Sequence, residues 1–244
     1  MNKVSFLTLG CKVNQYETEA MQELFKKRGY EICNEDDISD VYVINTCTVT
    51  NLSDRKSRQF ISRAKKLNKD AILAVVGCYS QVAPDEISGI EDVDVIIGTK
   101  NRAKIVDLCE ESKKSNLKFN IVSELTKDCG FDVLSIENQE SKTRAYIKIQ
   151  EGCNMFCTYC IIPYARGPIK SRPIDDIYEE AVKLANNGYK EVIITGIHVG
   201  SYGLDLGNDT RLIDVIEKLS TIENLDRIRL SSIEAGIISK DFLI

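Results

Sequence analysis

Apolar residues along this chain fall into short continuous runs, separated by longer segments in which they recur every three to four positions. A short apolar run reads as a buried strand, and recurrence at helical spacing reads as an amphipathic helix. Residues 3–9 therefore form a strand and 14–27 a helix, with Ala20, Met21, Leu24 and Phe25 facing inward and Gly29 as its stop. Further strands follow at 40–45, 71–76 and 93–97, with helices at 52–67 and 102–111. Strands alternating with helices predict a parallel sheet with helices on its faces.

Residues 110–143 break this pattern. They are rich in Lys, Ser, Asn and Glu, with one short apolar run at 119–122, and read as a linker. Periodicity returns at 144–150, which alternates as a strand does. A helix at 174–187 follows Pro173 and stops at Gly188. Then come a strand at 191–195, a helix at 211–221 with Leu212, Val215, Ile216 and Leu219 on one face, and a strand at 227–230. The expected fold class is α/β: an N-terminal parallel-sheet domain over 1–112, a linker over 113–141, and a β/α series of barrel type over 142–244. In such barrels the site lies at the carboxyl ends of the strands.

Composition narrows the function classes. At 244 residues and 43% hydrophobic, the chain has room for one large or two ordinary domains with real cores. A net charge of −5 excludes a uniformly basic nucleic-acid binder, so any RNA contact needs a local patch. The helix at 52–67 carries Arg55, Lys56, Arg58, Arg63, Lys65 and Lys66. These suit a phosphate track or, more commonly, a solvated charged face. No secretory signal and no apolar run of membrane-spanning length stand in the sequence, so a soluble cytoplasmic protein is expected. Nine cysteines in a reducing compartment argue for metal ligation over disulfides.

Three of those cysteines, Cys153, Cys157 and Cys160, lie within eight residues in the loop after the strand at 144–150. Iron–sulfur clusters normally take four thiolates, so three leave one iron open. Zinc prefers four ligands, often paired cysteines or added histidines, and His198 is the chain's sole histidine. Cys11, Cys47 and Cys78 each follow a predicted strand directly. The carboxyl ends of parallel strands share one edge, where ligands bind, and a second three-cysteine site is expected there. One such thiol would be an ordinary buried cysteine; three in the same topological position form a set. Gly10 and Gly77 allow the backbone to turn sharply beside them. Cys33, Cys109 and Cys129 belong to neither group and read as spare thiols.

The C-x3-C-x2-C spacing, with Tyr159 before its last cysteine, resembles the radical S-adenosylmethionine (SAM) signature. Leu9-Gly10-Cys11-Lys12-Val13-Asn14-Gln15-Tyr16-Glu17, Asn45-Thr46-Cys47-Thr48-Val49 and Val76-Gly77-Cys78 resemble the N-terminal domain of the methylthiotransferase family. The first two are most similar to the branch that modifies N6-threonylcarbamoyladenosine in tRNA. Ile162-Pro163-Tyr164-Ala165-Arg166-Gly167 and Ser171-Arg172-Pro173 also match the family.

This resemblance implies a radical SAM core built as an incomplete (β/α) barrel, with two [4Fe–4S] clusters and SAM as cofactors. Cys153, Cys157 and Cys160 would hold the cluster that cleaves SAM to a 5′-deoxyadenosyl radical, and Cys11, Cys47 and Cys78 the auxiliary cluster that supplies a methylated sulfur. Tyr159, Thr195, Gly196, Ser232 and Glu234 would contact SAM. The implied reaction adds a methylthio group to C2 of the adenosine in a tRNA substrate, with an electron-donor protein as partner and no membrane. Only about three β/α units fit before Ile244, fewer than in the family, so the sequence is expected to be a fragment or the product of a truncated gene. Two other readings stay open: a methylthiotransferase acting on another tRNA nucleoside or a ribosomal protein, and a non-catalytic iron–sulfur or zinc protein. His198 by itself reads as a satisfied loop histidine rather than a proton carrier.

Overall fold

The computed structural model describes residues 2–48, 51–132, 134–136, 144–231, 233 and 234, without the side chains of residues 51–55. They divide into two units, Met1–Leu125 with Tyr164–Arg166, and Thr126–Pro163 with Gly167–Ile244. In chain order the first unit contains β1 (Lys3–Thr8), α1 (Lys12–Lys27), β2 (Glu31–Cys33), β3 (Val41–Thr46), α2 (Asn51–Leu67) and β4 (Ile72–Gly77). Two one-turn helices follow, α3 (Cys78–Val82) and α4 (Pro84–Ser88), then β5 (Val95–Ile97), α5 (Ile105–Ser115) and β6 (Phe119–Asn120). The strands form one sheet in the order β2-β1-β3-β4-β5-β6, and each neighbouring pair is parallel.

The sequences of β3 and β4, Val-Tyr-Val-Ile-Asn-Thr and Ile-Leu-Ala-Val-Val-Gly, are buried at every position. That is the pattern of central parallel strands covered on both faces. Alternate residues feed opposite faces. Val41 and Val43 pack with Met21 and Phe25 of α1 and Ile105 of α5, whereas Tyr42 and Ile44 pack with Phe60 and Ile61 of α2. Each such side chain gains roughly 1.5–3 kcal/mol from full burial. A one-residue slip would exchange the two faces, so this packing fixes the register.

The expected elements of this region are present, with shifted ends. The helix expected at 102–111 starts as a 3-10 turn at Arg102–Lys104 and continues as α5 to Ser115. The apolar run at 119–122 gives β6, the edge strand beside β5. β2 is a strand the periodicity does not predict, because it has three partly exposed residues. It is topologically decisive. With β2 and β3 on either side of β1, the winding reverses beside β1, and this is the switch point where open α/β sheets bind ligands.

The next elements are β7 (Ala145–Lys148), β8 (Gln150–Glu151), α6 (Ile162–Arg166), β9 (Lys170–Ser171), α7 (Ile174–Asn186), β10 (Glu191–Thr195), α8 (Leu212–Ser220) and β11 (Arg227–Leu230). The last three residues of α6 group with the first unit. In the second unit β11-β10-β7 form a parallel sheet, and β8 pairs antiparallel with β9. Ile147, Val192 and Ile194 pack with Ile177, Ala181 and Leu184 of α7 and with Leu212, Val215 and Leu219 of α8. The strand expected over 144–150 is broken at Ile149, whose N–H donates to the Thr195 carbonyl at 3.0 Å while its own carbonyl accepts from the Arg172 N–H at 2.9 Å. The expected domain boundary near Ser141 lies outside the described residues. No described helix is long and apolar enough to cross a membrane.

Candidate functional site

Cys11 caps the start of α1, Cys47 directly follows β3, and Cys78 directly follows β4. Because β1, β3 and β4 are adjacent, all three thiols occupy the carboxyl edge of the first sheet at its switch point. Thr46 pairs with Gly77, so Cys47 and Cys78 stand side by side. Thr8 pairs with Asn45, which puts Gly10 level with Cys47. A Cβ on Gly10 would lie 2.8 Å from both Cβ and Sγ of Cys47, and Gly10 has φ +105°. Glycine alone fits there. Cys47 and Cys78 are buried, Cys11 is exposed, and no thiol is in a disulfide. Val49, the last residue of the second motif, lies outside the described residues.

Polar side chains tie these strand ends together. Asn14 Nδ2 donates to the carbonyls of Leu9 at 2.7 Å and Thr46 at 2.9 Å. Asn45 Nδ2 donates to the Asn14 carbonyl at 2.9 Å, and Thr46 Oγ1 donates to the Val76 carbonyl at 2.6 Å. Arg166, grouped with this unit, donates from Nε to Cys78 Sγ at 3.1 Å and from Nη2 to Asn14 Oδ1 at 2.6 Å. Its Nη1 donates to Glu17 Oε1 at 2.5 Å, and Glu17 Oε2 faces Arg102 Nη1 at 2.5 Å. Burial pushes the Cys78 thiol up, and the Arg166 cation opposes that rise.

The second trio is held locally. Gly152 has φ +73°, and a Cβ there would lie 2.0 Å from the Pro168 carbonyl oxygen. The Cys153 N–H donates to the Gly167 carbonyl at 3.0 Å, and the Cys160 N–H to the Cys157 carbonyl at 2.9 Å. Asn154 Oδ1 accepts from the Ile169 N–H at 3.0 Å. Gln150 joins this loop to the end of β10. Its Nε2 donates to the carbonyls of Glu151 and Gly152, both at 2.7 Å, and its Oε1 accepts from the His198 N–H at 2.7 Å.

Of the residues expected to contact SAM, Thr195 ends β10, and its Oγ1 is 3.4 Å from Ser231 Oγ beyond β11. Gly196 packs on Gln150, where a Cβ would come 3.0 Å from its carbonyl oxygen. Glu234 reaches to 3.5 Å from His198 Nε2, and His198 Nδ1 bonds Ser201 Oγ. These residues and the cysteine loop stand at the carboxyl ends of the second sheet. Tyr159 is 92% exposed. Ser232 lies outside the described residues.

Residues 3–98 match the uncharacterized protein family UPF0004, and residues 147–242 match the Radical SAM superfamily. The whole chain is 46% identical to the threonylcarbamoyladenosine tRNA methylthiotransferase MtaB of Bacillus subtilis (strain 168), covering 54% of it. Over its whole length the chain is similar to radical SAM methylthiotransferases. It is 35% identical, over 93% of its length, to the tRNA-2-methylthio-N(6)-dimethylallyladenosine synthase of Pseudothermotoga lettingae, covering 52% of that protein. The chain thus spans about half the length of the curated relatives it matches. Among solved structures it resembles the radical S-adenosylmethionine methyltransferase TsrM from Kitasatospora setae, with a TM-score of 0.56 and 12% identity over 89% of this chain and 50% of that one. At that identity the likeness shows a shared fold, of which this chain carries part of the radical SAM barrel.

Each trio supplies three thiols, the donor type that iron–sulfur clusters take. Among the described residues, no three His, Cys, Asp or Glu side chains gather as one metal ion requires. The ligands of a zinc ion converge on one point, whereas those of a cluster are spread over separate irons. The thiols of Cys11, Cys47 and Cys78 stand at adjacent strand ends and none is in a disulfide, so all three are open to ligation.

Sequence reading did not identify the roles of Glu17, Arg102, Arg166 or Gln150. Glu17 and Arg166 lie inside family motifs, which was the available signal; Arg102 opens a helix and looks like a surface residue. The spare thiols are separate features. Cys109 packs in the core against the α1 face, where burial pushes its thiol up. Cys33 lies in β2, and Cys129 Sγ is 3.3 Å from Thr126 Oγ1. On the basic helix α2, Arg63 pairs with Asp36, Lys65 with Asp94 at 3.1 Å, and Arg58 with Glu86 at 3.9 Å. Those pairings favour a solvated charged face over a free phosphate track.

Proposed function

We propose that the protein is a tRNA methylthiotransferase that adds a methylthio group to C2 of N6-threonylcarbamoyladenosine beside the anticodon, using SAM and two [4Fe–4S] clusters. The observation that carries this reading is that each unit sets three unpaired thiols at the carboxyl edge of a parallel sheet. Residues 1–112, with the sheet's edge strand β6 beyond them, form the auxiliary-cluster domain, and 142–244 the first part of the radical SAM core. The choice of nucleoside is supported by the motif Gly10-Cys11-Lys12-Val13-Asn14-Gln15 and by the more similar of the two relatives, which is named for it.

Cys153, Cys157 and Cys160 hold the SAM-cleaving cluster in this reading, and Cys11, Cys47 and Cys78 hold the auxiliary one. The bound cofactors supply one-electron activation of an aromatic C–H that no side-chain base reaches at neutral pH. The chain supplies placement. Gly152 lets the cysteine loop pass the Pro168 carbonyl, and Gln150 fixes that loop to the strand end bearing Thr195 and Gly196. Tyr159, Thr195, Gly196, Ser232 and Glu234 are the SAM contacts in this reading. The tRNA substrate places the reaction in the cytoplasm, with an electron-donor protein as the second partner.

Anaerobic reconstitution with iron and sulfide tests the cofactor assignment. About eight irons per chain are expected, falling to about four in Cys157→Ala; one zinc and no iron would overturn the reading. Mass spectrometry of tRNA nucleosides from cells lacking the gene tests the substrate. Loss of the methylthio form of threonylcarbamoyladenosine is expected, and an unchanged level would overturn the assignment.

A further inference from the structure

We propose that Arg166 is a positioning residue for the auxiliary cluster: it directs a charged N–H at the Cys78 sulfur and raises the cluster's reduction potential, with Glu17 setting its orientation and offsetting its charge. The inference rests on the reading that Cys11, Cys47 and Cys78 hold that cluster.

A guanidinium carries five N–H donors in a rigid plane and stays charged at any pH the protein meets. Here Nη1 and Nη2 engage the two oxygens of Glu17 at 2.5 and 3.1 Å. Nη2 also reaches Asn14 Oδ1 at 2.6 Å. This fork on a carboxylate fixes the guanidinium plane, and the remaining Nε–H then points at Cys78 Sγ, 3.1 Å away.

Burial points the same way. Arg166, Glu17 and Arg102 are each at most 1% exposed. A guanidinium this deeply buried is stabilised by each anion that faces it. A ligating Cys78 thiolate is the anion in contact. Hydrogen bonds to cluster sulfurs and nearby charge both set reduction potential, and a donated cationic N–H favours the reduced, more negative cluster.

The test uses the full chain carrying Cys153→Ala, Cys157→Ala and Cys160→Ala, reconstituted anaerobically so that only the auxiliary site can hold iron. About four irons per chain are expected in this parent. Adding Arg166→Gln keeps the Glu17–Arg102 ion pair, and iron retention is expected. The reduction equilibrium moves about tenfold against the reduced form, about 59 mV lower for one electron. Adding Arg102→Gln instead removes the same charge without touching the sulfur, and shifts the potential by less than half as much. A parent without iron overturns the cluster reading and this inference together. A parent with iron and an unchanged potential in Arg166→Gln overturns the inference alone, as does an equal shift in Arg102→Gln. Where Arg166→Gln fails to take up iron, Arg166→Lys decides: a potential between those of the parent and Arg102→Gln is expected, and a parent-like value overturns the directed contact.

Discussion

The two cysteine trios are built in opposite ways. Cys11, Cys47 and Cys78 come from three strands more than thirty residues apart in sequence, and their spacing is set by the register of a sheet buried on both faces. Cys153, Cys157 and Cys160 come from one eight-residue loop, fixed by a glycine and a few backbone bonds. The first site exists only when its sheet exists. The second can deform while the sheet behind it stays intact. The first should therefore fail through global stability and the second through local geometry.

The largest expected effect sharpens the first half of this comparison. Glu17→Gln leaves two buried guanidiniums without their carboxylate, and removing one partner of a buried charged group costs about 3–5 kcal/mol. Urea denaturation of the apo chain measures it, as a fall in the midpoint of the first unit's transition. A loss below about 1 kcal/mol would mean that water reaches the Arg102 and Arg166 side chains and the edge is not built as described.

Next comes a paired substitution. Gly10→Ala and Gly152→Ala both put a Cβ where φ is positive and space is lacking, and strain of this kind costs about 1–3 kcal/mol. The consequences differ. Gly10 presses on the buried Cys47, so Gly10→Ala should lower the melting temperature of the apo protein. Gly152 sits in a loop that can open locally. Gly152→Ala should lower iron content toward about four per chain with a smaller change in melting temperature. Equal melting shifts in the two variants would erase the distinction.

What the sequence revealed follows the same division. The apolar runs of β3 and β4 are legible because parallel strands covered on both faces contain little else. The cysteines at their ends are legible once the strands are placed. β2 is not legible, because Glu31-Ile32-Cys33 is short and half exposed, and the switch point is hidden with it. The charged network is invisible for another reason. Glu17 and Arg166 meet across 149 positions, and periodicity reports only local neighbours. A fully buried arginine such as Arg102 also carries no pattern that separates it from a surface one. The loop trio needs no tertiary information, which is why its spacing alone sufficed to mark it.

The smallest expected effect tests the local character of the second site. Tyr159 is 92% exposed, so it contributes almost no buried area to the fold. Tyr159→Ala should change the free energy of unfolding by less than about 0.5 kcal/mol, as surface substitutions do. If the side chain serves SAM, equilibrium dialysis of the reconstituted protein should show weaker SAM binding at this unchanged stability. Destabilisation above about 1 kcal/mol would place Tyr159 in the folded core. The loop could then no longer be treated as a ligand carrier that deforms independently of its sheet, and the contrast between the two trios would fail at its weaker end.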